Sequence, residues 1–281
     1  MDLDEYRRES QERWSRVAPG WGTQRDRLWA STALVSEWLV GALRLSSGQT
    51  VLELACGPGD TGLLAAERVR PGGRLIATDA AETMVALVRE RTEQLGLDDV
   101  EARVMDAEWI DLPTASVDAA VCRWGYMLLA DPGAALRETR RVLRPGGRVS
   151  LAAWAGPERN VWSSAIGAEL MSRGLMERPG PGDPGQFAWA DPVVIATQLE
   201  DAGFVDAEVQ TLELTFEYPG LDDWWDVQLD LAPALAETVT AMTPAERDDL
   251  REALDARLAE FVRPDGSVVL PAATHVAAAD A

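Results

Sequence analysis

Lysine is missing altogether from this sequence: all 26 basic residues are arginines, set against 47 acidic residues for a formal net charge of −21. Such a balance excludes the basic face that nucleic-acid binding needs in order to release phosphate counterions. It also disfavours anionic membrane surfaces. Cysteine occurs only at Cys56 and Cys122. Two thiols are too few for the disulfide framework of a small secreted domain and lack the paired spacing of a zinc site, so both are expected reduced and no metal is expected. No apolar run reaches the roughly 18–20 residues of a membrane span. The segment Met1-Asp2-Leu3-Asp4-Glu5-Tyr6-Arg7-Arg8 lacks the basic-then-apolar order of a signal peptide. A cytoplasmic protein is therefore expected.

What the chain does have is 281 residues, 47% of them hydrophobic, enough for one α/β core with a helical cap. Residues 2–18 and 26–44 read as helices, with Pro19-Gly20-Trp21-Gly22 as a loop between them. From residue 50, short apolar runs alternate with amphipathic stretches, the signature of a parallel sheet covered on both faces. Strands are expected over 50–55, 73–78, 100–105, 117–123 and 147–154, with helices at about 60–69, 81–95 and 132–143. The string Arg-Pro-Gly-Gly-Arg occurs at 70–74 and again at 144–148 as a helix-to-strand connector. Helices are expected at 160–176, 191–202 and 243–262, and Phe204–Phe216 and Ser267–Ala277 as an antiparallel hairpin at the sheet edge.

The chemistry concentrates in Val51-Leu52-Glu53-Leu54-Ala55-Cys56-Gly57-Pro58-Gly59-Asp60-Thr61-Gly62, an apolar strand running into a glycine-rich turn that opens a helix. Glycines there let backbone approach a ligand closely. Gly57 to Gly62 also satisfies the dinucleotide fingerprint, with Asp79 placed as a ribose-binding acid. The turn alone leaves nicotinamide and S-adenosylmethionine cofactors both open.

Three features resemble class I S-adenosylmethionine-dependent methyltransferases, in particular the group of ubiquinone and menaquinone C-methyltransferases and related small-molecule enzymes. They are the order Glu53-Leu54-Ala55-Cys56-Gly57-Pro58-Gly59, the string Met105-Asp106-Ala107-Glu108 after the third strand, and Arg140-Arg141-Val142-Leu143-Arg144-Pro145-Gly146-Gly147 before the fifth. The resemblance runs from about residue 13 to 155. It implies a doubly wound, Rossmann-like sheet of seven strands, mostly parallel with an antiparallel edge. It divides the chain into a helical lid (1–45), a cofactor-binding core (46–155), and acceptor-binding helical insertions with closing strands of the same sheet (156–281). It also implies S-adenosylmethionine as cofactor, S-adenosylhomocysteine as product, and a small, partly apolar acceptor methylated on O, N or C. A non-methylating protein of this fold that retains the cofactor is the alternative, and a nicotinamide-dependent oxidoreductase the more distant one. A monomer or homodimer is expected.

Carried over residue by residue, the resemblance places Glu53, Ala55, Gly57 and Gly59 beside the amino-acid end of the cofactor. Asp79 and Ala80 would lie at the ribose, although Asp79 also suits a cap of the helix near Ala81. Met84, Asp106, Ala107 and Glu108 would surround the adenine. Trp21, paired with Trp14 in a lid, would shield the site from water. Arg123 is counted with the cofactor-binding residues; Trp124, directly after it, would border the methyl-donor end with its face toward the sulfonium, or with Tyr126, Trp154 and Trp162 line the acceptor pocket. Trp38 and Trp109 are expected in the core. His275, far in sequence from the cofactor loops, is read as structural, and no catalytic base is named.

Overall fold

The computed structural model describes residues 2–180 and 182–281. Seven strands form one sheet in the order β3-β2-β1-β4-β5-β7-β6. The first five, β1 (Thr50–Glu53), β2 (Arg74–Asp79), β3 (Val100–Val104), β4 (Val117–Arg123) and β5 (Leu143–Trp154), are parallel. Between them run α3 (Asp60–Val69), α4 (Glu82–Leu95) and α5 (Pro132–Val142). Every residue of β1 is buried, as befits a strand covered on both faces. Each fully buried Leu, Ile or Val in these strands contributes about 1.5–3 kcal/mol. At the β3 edge, Arg89 of α4 donates from Nε and Nη2 to the Ala102 carbonyl (3.3 and 3.1 Å), covering a strand that would otherwise be open to pairing.

The chain reverses at the other edge. β6 (Val205–Tyr218) and β7 (Val268–Asp280) are antiparallel to each other, and β7 is antiparallel to β5. They are not a tight hairpin, because α8 (Leu221–Leu231), α9 (Pro233–Ala241) and α10 (Pro244–Leu258) separate them. α8 and α9 have no counterpart in the sequence reading; each is short, and α8 mixes Asp222, Asp223, Asp226 and Asp230 among its apolar residues. α6 (Val161–Ser172) and α7 (Pro192–Asp201) complete the cap. His275 sits buried in β7, with Nδ1 paired to Thr211 Oγ1 and Nε2 to the Ala190 carbonyl, both at 2.9 Å, so the structural reading of this residue holds.

Two expectations are corrected. Pro19-Gly20-Trp21-Gly22 is not a loop but the last part of α1 (Leu3–Thr23), which α2 (Arg25–Ala42) follows almost directly. Proline lacks the N–H that would reach the Ser15 carbonyl, and Thr83 Oγ1 donates to that carbonyl instead (3.3 Å). At Gly20 a side chain would collide with the Asp230 carbonyl of α8. Both helix breakers thus serve contacts between helices. Trp109, expected in the core, is 77% exposed, because the turn after β3 points it outward.

α1 crosses the carboxyl ends of the strands. Tyr6 donates to the Leu128 carbonyl (3.0 Å), Gln11 to that of Ala80 (2.8 Å), and the indole of Trp21 to Leu231 of α8 (3.2 Å). Only Val17 and Ala18 of its 21 residues are buried. Deleting residues 1–22 should therefore leave a cooperatively folding sheet. The expected loss is about 3 kcal/mol, or roughly 6–12 °C in Tm. Scanning calorimetry checks it, and a chain without a folding transition would show that α1 belongs to the core.

Candidate functional site

In an open α/β sheet the crevice lies beyond the carboxyl ends of the strands, where the order reverses. Here that point falls between β1 and β4. The chain leaves β1 through Ala55, Gly57 and Gly59, all with positive φ (49°, 52° and 79°). A side chain at Gly59 would press on Val88 at 2.9 Å, whereas one at Gly57 would meet nothing within 4 Å. The turn is packed from below and bare above. Asp79, at the end of β2, fastens it: Oδ2 accepts from the Gly57 amide (3.0 Å) and Oδ1 from that of Ala81 (2.9 Å). Burial raises the Asp79 pKa, and the amides of Ala81, Gly57 and Ala80 pull it back. Asp79 thus holds the turn before α4 rather than capping the helix, whose first turn takes no side-chain cap, and the carboxylate keeps acceptor capacity beyond these amides.

Next along the edge, the Met105 amide donates to the Asp79 carbonyl (3.0 Å), and Asp106 Oδ1 accepts from the Glu108 amide (2.8 Å). This places Asp106, Ala107 and Glu108 beside Asp79. Glu108 Oε2 accepts from Arg7 of α1 through Nη2 (2.5 Å) and Nε (2.9 Å), and its Oε1 from the Ala130 amide (2.9 Å). Ala80 is exposed and lends its carbonyl to Gln11. Met84 is 2% exposed, packed with Ala18 and Ala81 beneath Trp14 and Trp21, whose rings meet edge-on at 5.8 Å.

Residues 51–147, which hold the glycine-rich turn, Asp79, Met84 and Asp106 to Glu108, match the model of a methyltransferase domain. The core is a class I S-adenosylmethionine-dependent methyltransferase domain. A Streptomyces fradiae protein encoded in transposon TN4556 is 43% identical over 112 residues, 40% of this chain and 32% of its own. The demethylmenaquinone methyltransferase of Listeria welshimeri is 29% identical over 126 residues, 45% of this chain and 53% of its own. The chain thus spans a third to a half of the length of these curated relatives. In fold, the YcgJ protein of Bacillus subtilis superposes with a TM-score of 0.59 at 18% identity, covering 87% of this chain and 97% of that one.

On the far side of the methyltransferase crevice lies a group of charges that sequence reasoning missed. Asp60, the first residue of α3, is 5% exposed and pairs with Arg25 of α2 (2.8 Å) and Arg91 of α4 (2.6 Å). In sequence these arginines look like ordinary solvated helix charges, and only tertiary packing converges them. Arg123, at the end of β4, donates from Nη1 to Thr32 Oγ1 and Ser36 Oγ (3.2 Å each) and lies 4.8 Å from the Trp124 ring. Trp124 itself has φ 63°, stacks on Trp154 at 4.2 Å and bonds Thr274 through its indole N–H (2.9 Å). Trp162 stacks on Phe216 at 3.9 Å, and both Trp154 and Trp162 are 5% exposed, so these two form the buried wall behind Trp124. Tyr126 is corrected: it is 1% exposed, stacks on Trp189, and its hydroxyl pairs with Thr139 (2.7 Å), which removes it from any pocket.

Glu53 also faces elsewhere than the resemblance implies. It points into the first turn of α3, where Oε1 accepts from the Gly62 amide (2.8 Å) and Oε2 has no partner. A side chain at Gly62 would strike that carboxyl, which explains the glycine. Desolvation pushes the Glu53 pKa up to about 8, against the pull of the Gly62 amide and Arg123. Between pH 4.5 and about 8 the folded chain keeps a proton that the unfolded chain releases, so stability falls as pH rises through that window. Glu53→Gln keeps the acceptor without the charge. Its stability relative to wild type should rise across the same window, by at most about 5 kcal/mol. Melting both proteins at pH 5 and pH 8.5 is the check, and a constant difference would mean that Glu53 is ionised throughout.

Proposed function

We propose that this chain transfers the methyl group of S-adenosylmethionine to a small, partly apolar acceptor. The observation that carries the reading is the bare turn over Gly57, tied to the Asp79 carboxylate at the end of β2. Those residues fit the cofactor: glycine leaves backbone accessible, and an ionised carboxylate offers two acceptors to two ribose hydroxyls. Asp106, the Ala107 amide and Met84 would take the adenine, and α1 with Trp21 would close over it. Bound there, the cofactor supplies a carbon already activated by positive sulfur. The chain's own work is then to align the acceptor at about 3–3.5 Å and to exclude water.

The −21 charge supports a small-molecule acceptor over nucleic acid. Among the described residues no cluster of ligating side chains suits a metal, and no helix is long and apolar enough to cross a membrane. Residence in the cytoplasm belongs to the same proposal.

Asp79→Ala should lower affinity for S-adenosylmethionine by about 100-fold or more, two charge-assisted hydrogen bonds being worth about 1.5–3 kcal/mol each. Because Asp79 also holds Gly57 and Ala81, Asp79→Asn serves as the isosteric companion and should lose less. Titration calorimetry with S-adenosylhomocysteine measures both, and wild-type affinity in Asp79→Ala would remove Asp79 from the site.

A further inference from the structure

Methyl transfer consumes an acceptor lone pair, and a hydroxyl or ammonium acceptor must first surrender a proton to a base. The basic groups of this crevice are already engaged. Asp79 holds two amides, Asp60 two arginines, and Glu53 faces α3. The one histidine is locked in β7 by Thr211 and Ala190.

Arg123 is the opposite case. Its Nη1 meets two hydroxyls, but Nε and Nη2 have no hydrogen-bond partner among the described residues, and no carboxylate stands within ion-pair distance. Neither atom is a buried orphan, so each keeps some solvent-accessible surface at the carboxyl end of β4, next to the reversal of strand order. Burial works against the charge of this guanidinium, and its neighbours offset that only partly. Asp60 is shared with Arg25 and Arg91, while Glu53 keeps its proton to about pH 8. The acidic surface does not settle the matter, since charges beyond about 8 Å are screened at physiological salt. Nε and Nη2 together form the side-on fork of a guanidinium, which matches the two oxygens of a carboxylate.

We infer that Arg123 binds the acceptor through a carboxylate, so that the chain methylates a carboxylic acid to its methyl ester. This rests on the methyltransferase reading. One carboxylate oxygen forms the new O–C bond with its lone pair while the S–C pair returns to sulfur. Oxyanion and sulfonium are neutralised together, no proton moves, and no base is required. Trp124, 4.8 Å from the guanidinium, supplies an apolar surface beside the acid group.

The test is titration calorimetry on protein saturated with S-adenosylhomocysteine, using cinnamate, indole-3-acetate and decanoate, each against its own primary amide. At least one acid should bind about tenfold or more tighter than its amide. In Arg123→Gln, again saturated with S-adenosylhomocysteine, that preference should shrink to about twofold. Arg123→Lys keeps the charge and should keep part of the preference, which guards against a glutamine variant that does not fold. Acids that bind no better than their amides, or not at all, overturn the inference. So does an Arg123→Gln variant that loses S-adenosylhomocysteine but holds 5′-methylthioadenosine, which lacks the methionine carboxylate; Arg123 would then serve the cofactor. Failure of the wild-type chain to bind S-adenosylhomocysteine would instead overturn the proposed function itself.

Discussion

The Asp79 carboxylate is the fastening on which the crevice depends. With the Gly57 amide on one oxygen and the Ala81 amide on the other, it ties the turn after β1 to the start of α4. The same residue's carbonyl takes the Met105 amide and so positions the turn after β3. Three neighbouring strand ends are thereby set by one residue. A buried charge satisfied by backbone donors is costly to remove, which gives this edge of the sheet a rigidity that exposed loops lack.

α1 joins that edge to the helical cap. It touches the strand ends through Tyr6, Gln11 and the Arg7–Glu108 pair, and α8 through Trp21 and the close approach at Gly20. An element held by polar contacts and two buried residues is of the kind that opens locally at low cost. Its contact with Glu108 couples any such opening to the turn proposed to read the adenine.

The opposite side of the crevice is organised by charge rather than by apolar packing. Two guanidiniums, Arg25 and Arg91, pair with Asp60 near the positive end of α3, and Arg123 feels the same carboxylate without pairing with it. Glu53, buried against the same helix turn, escapes part of its desolvation cost by holding its proton. The aromatic row Trp124, Trp154, Trp162 and Phe216 backs this region and gives it a stiff apolar wall.

Alternating apolar runs and the glycine-rich turn were enough, as sequence, to determine the parallel core, the order of its elements and the placing of Asp79 and Asp106 at strand ends. These signals are local: a strand's burial and a turn's need for positive φ act within a few residues of chain. The Arg-Pro-Gly-Gly-Arg connectors are legible for the same reason. Which way side chains faced, and what they met, was decided only by tertiary structure. Pro19 and Gly20 read as a loop because their isolated preference breaks helices, yet Thr83 and Asp230 make both fit inside α1. Trp109 and Tyr126 exchanged their expected environments, since an indole's or phenol's burial depends on how a turn leaves its strand. The meeting of Arg25 and Arg91 on Asp60 had no sequence signal at all: the three come from separate helices, and electrostatic contact across such separations exists only once the chain has folded.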